Sequence, residues 1–264
     1  MSDSKISEQM IEVPGGVLYT KRWTPEVVWN QVPLILMHDS LGCVQMWKEF
    51  PRRLSESLGR VVIAYDRLGY GRSSSKKELP SVRFVNEEVE IYLPVIFKTL
   101  QIKKFAVFGH SVGGAMAVEA AVCFTEDCQA VITESAQAFV EDLTRNGIIK
   151  AKTDFLNVEN FSKLEKYHKE KTRWVLDAWI DVWLSDEFAA WSLKDSLPKM
   201  RCPVLVIHGD RDEYGSEQFP ELICKLAGGS SLKCIISDCG HSPHREKEEL
   251  VIGLVANWPP MLSS

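Results

Sequence analysis

The sequence predicts an α/β domain built on a mostly parallel sheet of eight strands flanked by helices, and three features of its pattern carry that expectation. Short apolar runs at 34–37, 60–65, 105–108, 130–133, 204–207 and 234–236 show no polar alternation, which fits strands covered on both faces. Longer segments of helical period lie between most of them and supply the cover. An opening pair of segments, 5–13 and 17–23, flanks Pro14-Gly15-Gly16 and reads as an antiparallel hairpin, completing the count of eight.

Helices are expected at 47–57, 81–100, 112–124, 216–226 and 247–258. The second carries Pro94 inside its apolar pattern. Proline lacks the N–H that continues the ladder, so a kink or break is expected there. One stretch departs from the rhythm. Residues 137–197 separate consecutive strands by far more chain than a crossover needs, and apolar residues recur there at helical spacing. The segment holds Trp174, Trp179, Trp183 and Trp191, four of the chain's eight tryptophans. It reads as a helical cap inserted after the sixth strand, dividing the chain into core residues 1–136, cap residues 137–197 and core residues 198–264. For any single tryptophan the expectation is packing of the cap on the core. Together they suggest an apolar wall over a cleft.

Composition narrows the function classes. With 45% apolar and 25% charged residues the chain is an ordinary globular protein with a substantial core. A net charge of −5 without a basic block leaves no footprint for nucleic acid or a polybasic membrane anchor. No apolar run reaches the roughly 20 residues of a membrane span, and residues 1–12 lack the basic start and apolar stretch of a signal peptide. The expectation is therefore a cytoplasmic protein acting on a small molecule. Seven cysteines, Cys43, Cys123, Cys128, Cys202, Cys224, Cys234 and Cys239, form no C-x-x-C pair. They are expected to be small buried thiols rather than a disulfide framework or zinc site.

The chemistry is carried first by Gly109-His110-Ser111-Val112-Gly113-Gly114, between a strand and a helix of small residues. This is G-x-S-x-G in the context it requires, a strained strand-to-helix turn that projects the Ser111 oxygen. The helix start also favours developing negative charge. A serine hydroxyl needs a base to take its proton. Of six histidines, His241 follows the last strand and a glycine, on a loop that can reach the sheet's carboxyl edge. His244 competes three residues on, but is placed better to start the helix. His38 and His110 are read as structural, His168 belongs to the insertion, and His208 ends a strand. The histidine in turn needs a carboxylate. Asp210, Asp212 and Glu213 follow the strand at 204–207, while Glu134 offers a second position. Backbone donors for an oxyanion are expected from Val112 and Ser40, the latter on the loop after the 34–37 strand.

In order along the chain, the His38 to Gly42 loop, Asp66-Arg67-Leu68-Gly69-Tyr70-Gly71-Arg72-Ser73, the nucleophile turn, the insertion, Gly209-Asp210-Arg211-Asp212 and Gly240-His241 resemble the α/β-hydrolase superfamily over nearly the whole length. The resemblance implies the α/β-hydrolase fold with a cap after strand 6, and its G-x-x-D pattern selects Asp212 as the acid. It implies that the 66–73 loop is scaffold. Family members usually carry glycine where Asp39 stands; Asp39 is expected to turn its carboxylate away from the oxyanion. A serine at the turn disfavours relatives that use a carboxylate there.

The expectation is thus a serine esterase or lactonase without cofactor or metal, acting through Ser111, His241 and Asp212. Its partner would be a small ester or lactone with an apolar acyl group. The chain looks similar to small capped bacterial esterases and lactonases, and an N-acyl-homoserine lactone is the candidate substrate. The alternatives are a carbon–carbon bond hydrolase, a haloperoxidase-like enzyme, or a non-catalytic small-molecule receptor on the same fold.

Overall fold

The computed structural model describes residues 4–262 of 264, so Met1 to Asp3, the start of the segment read for a signal peptide, lie outside the described residues. The elements in order are β1 (Lys5–Val13), β2 (Gly16–Thr24), β3 (Leu34–Met37), α1 (Phe50–Leu58), β4 (Val62–Tyr65), α2 (Phe84–Glu87), a π turn (Glu88–Tyr92), α3 (Leu93–Leu100), β5 (Phe105–His110), α4 (Val112–Cys123) and β6 (Cys128–Glu134). There follow α5 (Asp142–Asp154), α6 (Val158–His168), α7 (Thr172–Leu184), β7 (Val204–Gly209), α8 (Gln218–Leu226), β8 (Ser231–Ile236), α9 (Pro243–Glu246), α10 (Glu248–Ala256) and α11 (Pro259–Leu262).

The sheet order is β1-β2-β4-β3-β5-β6-β7-β8. The hairpin β1/β2 and the pair β2/β4 are antiparallel, and every other neighbour is parallel. Strands β3, β4, β5 and β7 are buried along their whole length, as their unbroken apolar runs require. Alternate residues feed two cores. Ile35, Ile63 and Val107 join one with Ile96, Ala117 and Phe219, so α3, α4 and α8 cover that face. Leu36, Ala64 and Phe108 join the other with Phe50, Leu54, Val251 and Val255, so α1 and α10 cover the opposite face.

The break expected at Pro94 takes a different form. Helical structure runs without interruption from Phe84 to Leu100, and the π turn immediately before Leu93 absorbs the irregularity. A wider turn accommodates a proline ring and its missing N–H without ending the helix. Within this turn the buried Glu88 accepts a hydrogen bond from Tyr65 Oη at 2.9 Å.

The cysteine expectation needs correction. All seven are free, but only Cys43, Cys128, Cys202 and Cys239 are buried; Cys224 and Cys234 are half-buried and Cys123 is exposed. Cys123 is the last residue of α4, where the helix emerges from the core, and Cys234 lies on edge strand β8. No helix among the described residues is long and apolar enough to cross a membrane.

Candidate active site

Strand β5 and helix α4 meet at Ser111, whose φ of 58° and ψ of −126° are strained for a residue with a side chain. Such a conformation costs on the order of 1–3 kcal/mol. The turn is held by Ser111 N–H donating to Glu134 O at 2.8 Å and by Gly114 N–H donating to Ser111 O at 2.8 Å. Glycine is required on both sides of the serine because strand, helix and β3 nearly touch. A Cβ on Gly109 would lie 2.0 Å from Gly113 O, and one on Gly113 would lie 2.1 Å from Met37 O.

The three side chains selected from the sequence come together. His241 Nε2 lies 2.9 Å from Ser111 Oγ, and His241 Nδ1 lies 2.8 and 2.9 Å from the two oxygens of Asp212. The acid loop is fixed by its own backbone, since Asp212 Oδ1 also accepts N–H bonds from Tyr214 at 2.8 Å and Gly215 at 3.1 Å. Burial opposes a charge on His241, but the Asp212 carboxylate and its hydrogen bond outweigh this and raise the pKa above the ordinary histidine value. Asp212 is shifted the other way. Burial would raise it, yet His241, His208 and the backbone N–H groups hold it below the usual carboxylate range.

The rival carboxylates have other work. Asp210 Oδ1 accepts from Cys239 N–H at 3.3 Å, and Glu213 Oε2 accepts from His241 N–H at 3.3 Å, so both tie the acid loop to the histidine loop. Glu134 faces His244 instead of His241, with Oε2 2.5 Å from His244 Nδ1, and both residues are buried. Burial pushes Glu134 up to about 7 and His244 down to about 3. His110 joins this cluster, and the three bring donor atoms within 4.8 Å of one another, the spacing of a possible cation site among the described residues. Glu134 and His244 are bonded to each other, and the rings of Trp47 and Phe50 lie against His244.

His38 and His110 bridge loops. His38 Nδ1 donates to Asp39 O at 2.8 Å while Nε2 accepts from Arg67 N–H at 3.1 Å. His110 Nε2 donates to His241 O at 2.8 Å, linking the Ser111 turn to the His241 loop. Asp39 Oδ1 accepts from Leu41 N–H at 2.8 Å, and Oδ2 lies 3.3 Å from His110 Nδ1, so the carboxylate faces these loops. The N–H groups of Ser40 and Val112 donate to no protein acceptor among the described residues. Asp66 accepts N–H bonds from Val44 and Arg72, both at 2.6 Å, which holds the 66–73 loop in a tight turn. His168, at the end of α6, accepts from Gly71 N–H at 3.0 Å and donates to Leu41 O at 2.8 Å, pinning the insertion to two core loops.

Two cavities meet at His241, and the smaller of them also reaches Ser111. An inner one of about 90 Å³ is lined by Ser40, Leu41, Gln137, Ile148, Trp179 and Trp183 beside Ser111. An outer one of about 440 Å³ is lined by Met46, Phe155, Leu164, Lys163, Tyr214 and Arg245 beside His241. Of the four tryptophans in the insertion, Trp179 and Trp183 reach the inner cavity. Trp191 stacks on Phe188, and Trp174 packs edge-on against Tyr70. The wall residues lie four apart on α5 (Thr144, Ile148) and on α7 (Trp179, Trp183), a spacing readable in the sequence. Gln137, whose Oε1 lies 3.1 Å from Ser111 Oγ, was not singled out there.

A proline iminopeptidase of Lactobacillus helveticus is 23% identical to this chain, the match covering 86% of the chain and 89% of the relative. Among solved structures, proline iminopeptidase of Mycobacterium smegmatis aligns with a TM-score of 0.72 at 20% identity, over 95% of this chain and 96% of that one. The enol-lactonase of Burkholderia xenovorans LB400 aligns with a TM-score of 0.71 at 16% identity, over 94% and 98%. Residues 34–253 match the model of the alpha/beta hydrolase family, and the chain belongs to that family.

Proposed function

We infer that the protein is a serine hydrolase in which Ser111 is the nucleophile, His241 the general base and Asp212 the residue that orients His241. The observation that carries this reading is the unbroken line of contacts from Asp212 through His241 to Ser111 Oγ, at 2.8 and 2.9 Å. Asp212 keeps the proton on Nδ1, so Nε2 is free to take the Ser111 proton. Oγ then bonds to the carbonyl carbon, and the N–H groups of Ser40 and Val112 receive the resulting oxyanion. Collapse expels the leaving alcohol, which takes the proton from His241. Water repeats the sequence on the acyl-enzyme and returns the hydroxyl to Ser111.

The substrate favoured is a carboxylic ester or lactone with a compact apolar acyl group. A dry cavity of about 150 Å³ accepts benzene, so the inner 90 Å³, walled by Ile148, Trp179 and Trp183, suits an acyl group of about three or four carbons. The larger outer cavity suits the leaving group. A lactone adds the requirement that its tethered alcohol swing out of the path of water. For an N-acyl-homoserine lactone the long acyl tail belongs in the outer cavity, with insertion residues 137–197 acting as the cap. The relatives that are proline iminopeptidases supply a second reading, amide hydrolysis, for which the exposed Asp154 and Glu213 beside the outer cavity are the carboxylates available to a substrate amine.

The test is a panel of p-nitrophenyl acetate, butyrate and octanoate, an N-acyl-homoserine lactone and a prolyl anilide. Turnover of the short esters above the octanoate, abolished in Ser111→Ala, is expected. Turnover of the prolyl anilide alone would replace the ester reading with the peptidase one. A receptor without chemistry would bind members of the panel and turn over none.

A further inference from the structure

Resting on the reading of Ser111 as nucleophile, we propose that Gln137 is a further catalytic residue, donating a side-chain N–H to Ser111 Oγ and stabilising that oxygen as its proton leaves for His241.

The assignment follows from counting hydrogens around Oγ. Both Asp212 oxygens lie within 2.9 Å of His241 Nδ1, which fixes the ring proton on that nitrogen. Neutral His241 Nε2 is then an acceptor, and the one hydrogen of Ser111 points at it across 2.9 Å. Nothing remains on Oγ to donate to Gln137. The 3.1 Å contact is attractive only if the amide presents its nitrogen, and the oxygen and nitrogen of a glutamine side chain exchange by a half-turn about its last bond. Read this way, Oγ donates to His241 and accepts from Gln137, and both contacts are attractive.

The backbone around Gln137 is built to deliver it. Ser135, just after β6, takes a left-handed φ of 48° without being glycine, and its N–H donates to Ile207 O at 2.9 Å. This sharp reversal turns the chain back toward the nucleophile. Ala136 then packs against the first turn of α4 at Gly114, where a Cβ would lie 2.4 Å from Ala136 Cβ. Gly114 therefore serves a second close approach beyond that of the nucleophile turn. The Gln137 side chain that results is 4% exposed and borders the inner cavity, so its amide also faces the position of the acyl group.

A hydrogen bond to Oγ is catalytic when it is stronger in the transition state than before it. As the Ser111 proton moves to Nε2, negative charge grows on Oγ and the N–H bond tightens. Once Oγ is an ester oxygen the charge is gone and the bond relaxes. Loss of a donor at a fully developed oxyanion costs about 10²–10³ in rate; charge on Oγ is transient, so a loss of about 10- to 100-fold is expected.

Two near-isosteric variants test this. Gln137→Met keeps the volume without a donor, and Gln137→Glu offers only acceptors. Initial rates on p-nitrophenyl acetate and the rate of labelling by a fluorophosphonate are measured across pH, with thermal melts to report folding. The expected result for Gln137→Met is a fall of about 10- to 100-fold in both kcat and labelling rate, with KM within about threefold. Gln137→Glu falls further and shifts the acid limb of its profile upward, because a carboxylate beside Nε2 favours protonated His241. A Gln137→Met enzyme within about twofold of wild type overturns the proposal while leaving the Ser111 reading intact. So does a Gln137→Glu enzyme more active than Gln137→Met, which makes the amide an acceptor. Wild-type protein that does not label at all overturns both.

Discussion

Replacing Asp212 by asparagine tests the orientation of His241 with almost no change in shape. Asp212 Oδ1 accepts N–H bonds from Tyr214 and Gly215, whereas Oδ2 receives no backbone donor among the described residues. An asparagine therefore keeps its carbonyl at the Oδ1 position and sets its NH₂ at Oδ2, 2.9 Å from His241 Nδ1. His241 Nδ1–H would then face the retained carbonyl at 2.8 Å and, at nearly the same distance, an opposing NH₂ that repels it. The ring avoids this by moving its proton to Nε2, where it faces Ser111 and cannot accept. The same tautomer error in a serine protease triad lowers kcat about 10⁴-fold, equivalent to about 5.4 kcal/mol of transition-state stabilisation. The assay is kcat/KM on p-nitrophenyl acetate with the fluorophosphonate labelling rate as a second readout. Both should fall by about four orders of magnitude while the melting temperature stays close to wild type. An Asp212→Asn enzyme within tenfold of wild type would refute the reasoning, and the acid would have to be sought elsewhere.

The pH profile supplies a second check. Catalysis needs neutral His241, and Asp212 raises its folded pKa, so activity should be lost as pH falls through a value above 6.5, the ordinary histidine value; an acid limb below 6 would contradict the pairing. Glu134→Gln should leave kcat within about threefold, because Glu134 pairs with His244 rather than His241. It should also change the pH dependence of stability. Burial raises Glu134 from 4.5 to about 7, so its contribution is full below pH 4.5 and is lost as pH rises through about 7; the variant should lack that decline in urea midpoints measured from pH 4.5 to 8. Ile148→Ala should enlarge the inner cavity and move the preferred acyl chain from butyryl toward octanoyl esters, at a stability cost of about 2–5 kcal/mol because Ile148 is fully buried. An unchanged chain-length profile would show that the acyl group does not enter that cavity.

Much of the fold was legible because strands buried on both faces leave unbroken apolar runs. The runs at β3 and β7 began at the residues observed, and the hairpin was marked by its glycines. The Pro94 irregularity was expected, but its form depends on how the Glu88 turn packs against Tyr65, a contact 23 residues away in sequence. Ser111, His241 and Asp212 were readable as loop residues next to strands, where turn chemistry and motif spacing act locally. Gln137 was not, since its contact with Ser111 depends on a reversal at Ser135 and on Gly114 yielding space to Ala136. Neither leaves a motif. The pairing of Glu134 with His244 joins residues 110 positions apart, and only the three-dimensional arrangement separates it from the other acid–histidine pair.

The central claim, that Ser111 is an activated nucleophile, is tested most directly by exposing the protein to a fluorophosphonate and locating the adduct by peptide mass spectrometry. The account predicts a single adduct on Ser111, absent after Ser111→Ala. Wild-type protein that stays unmodified, or a Ser111→Ala variant that labels as fast, would contradict it.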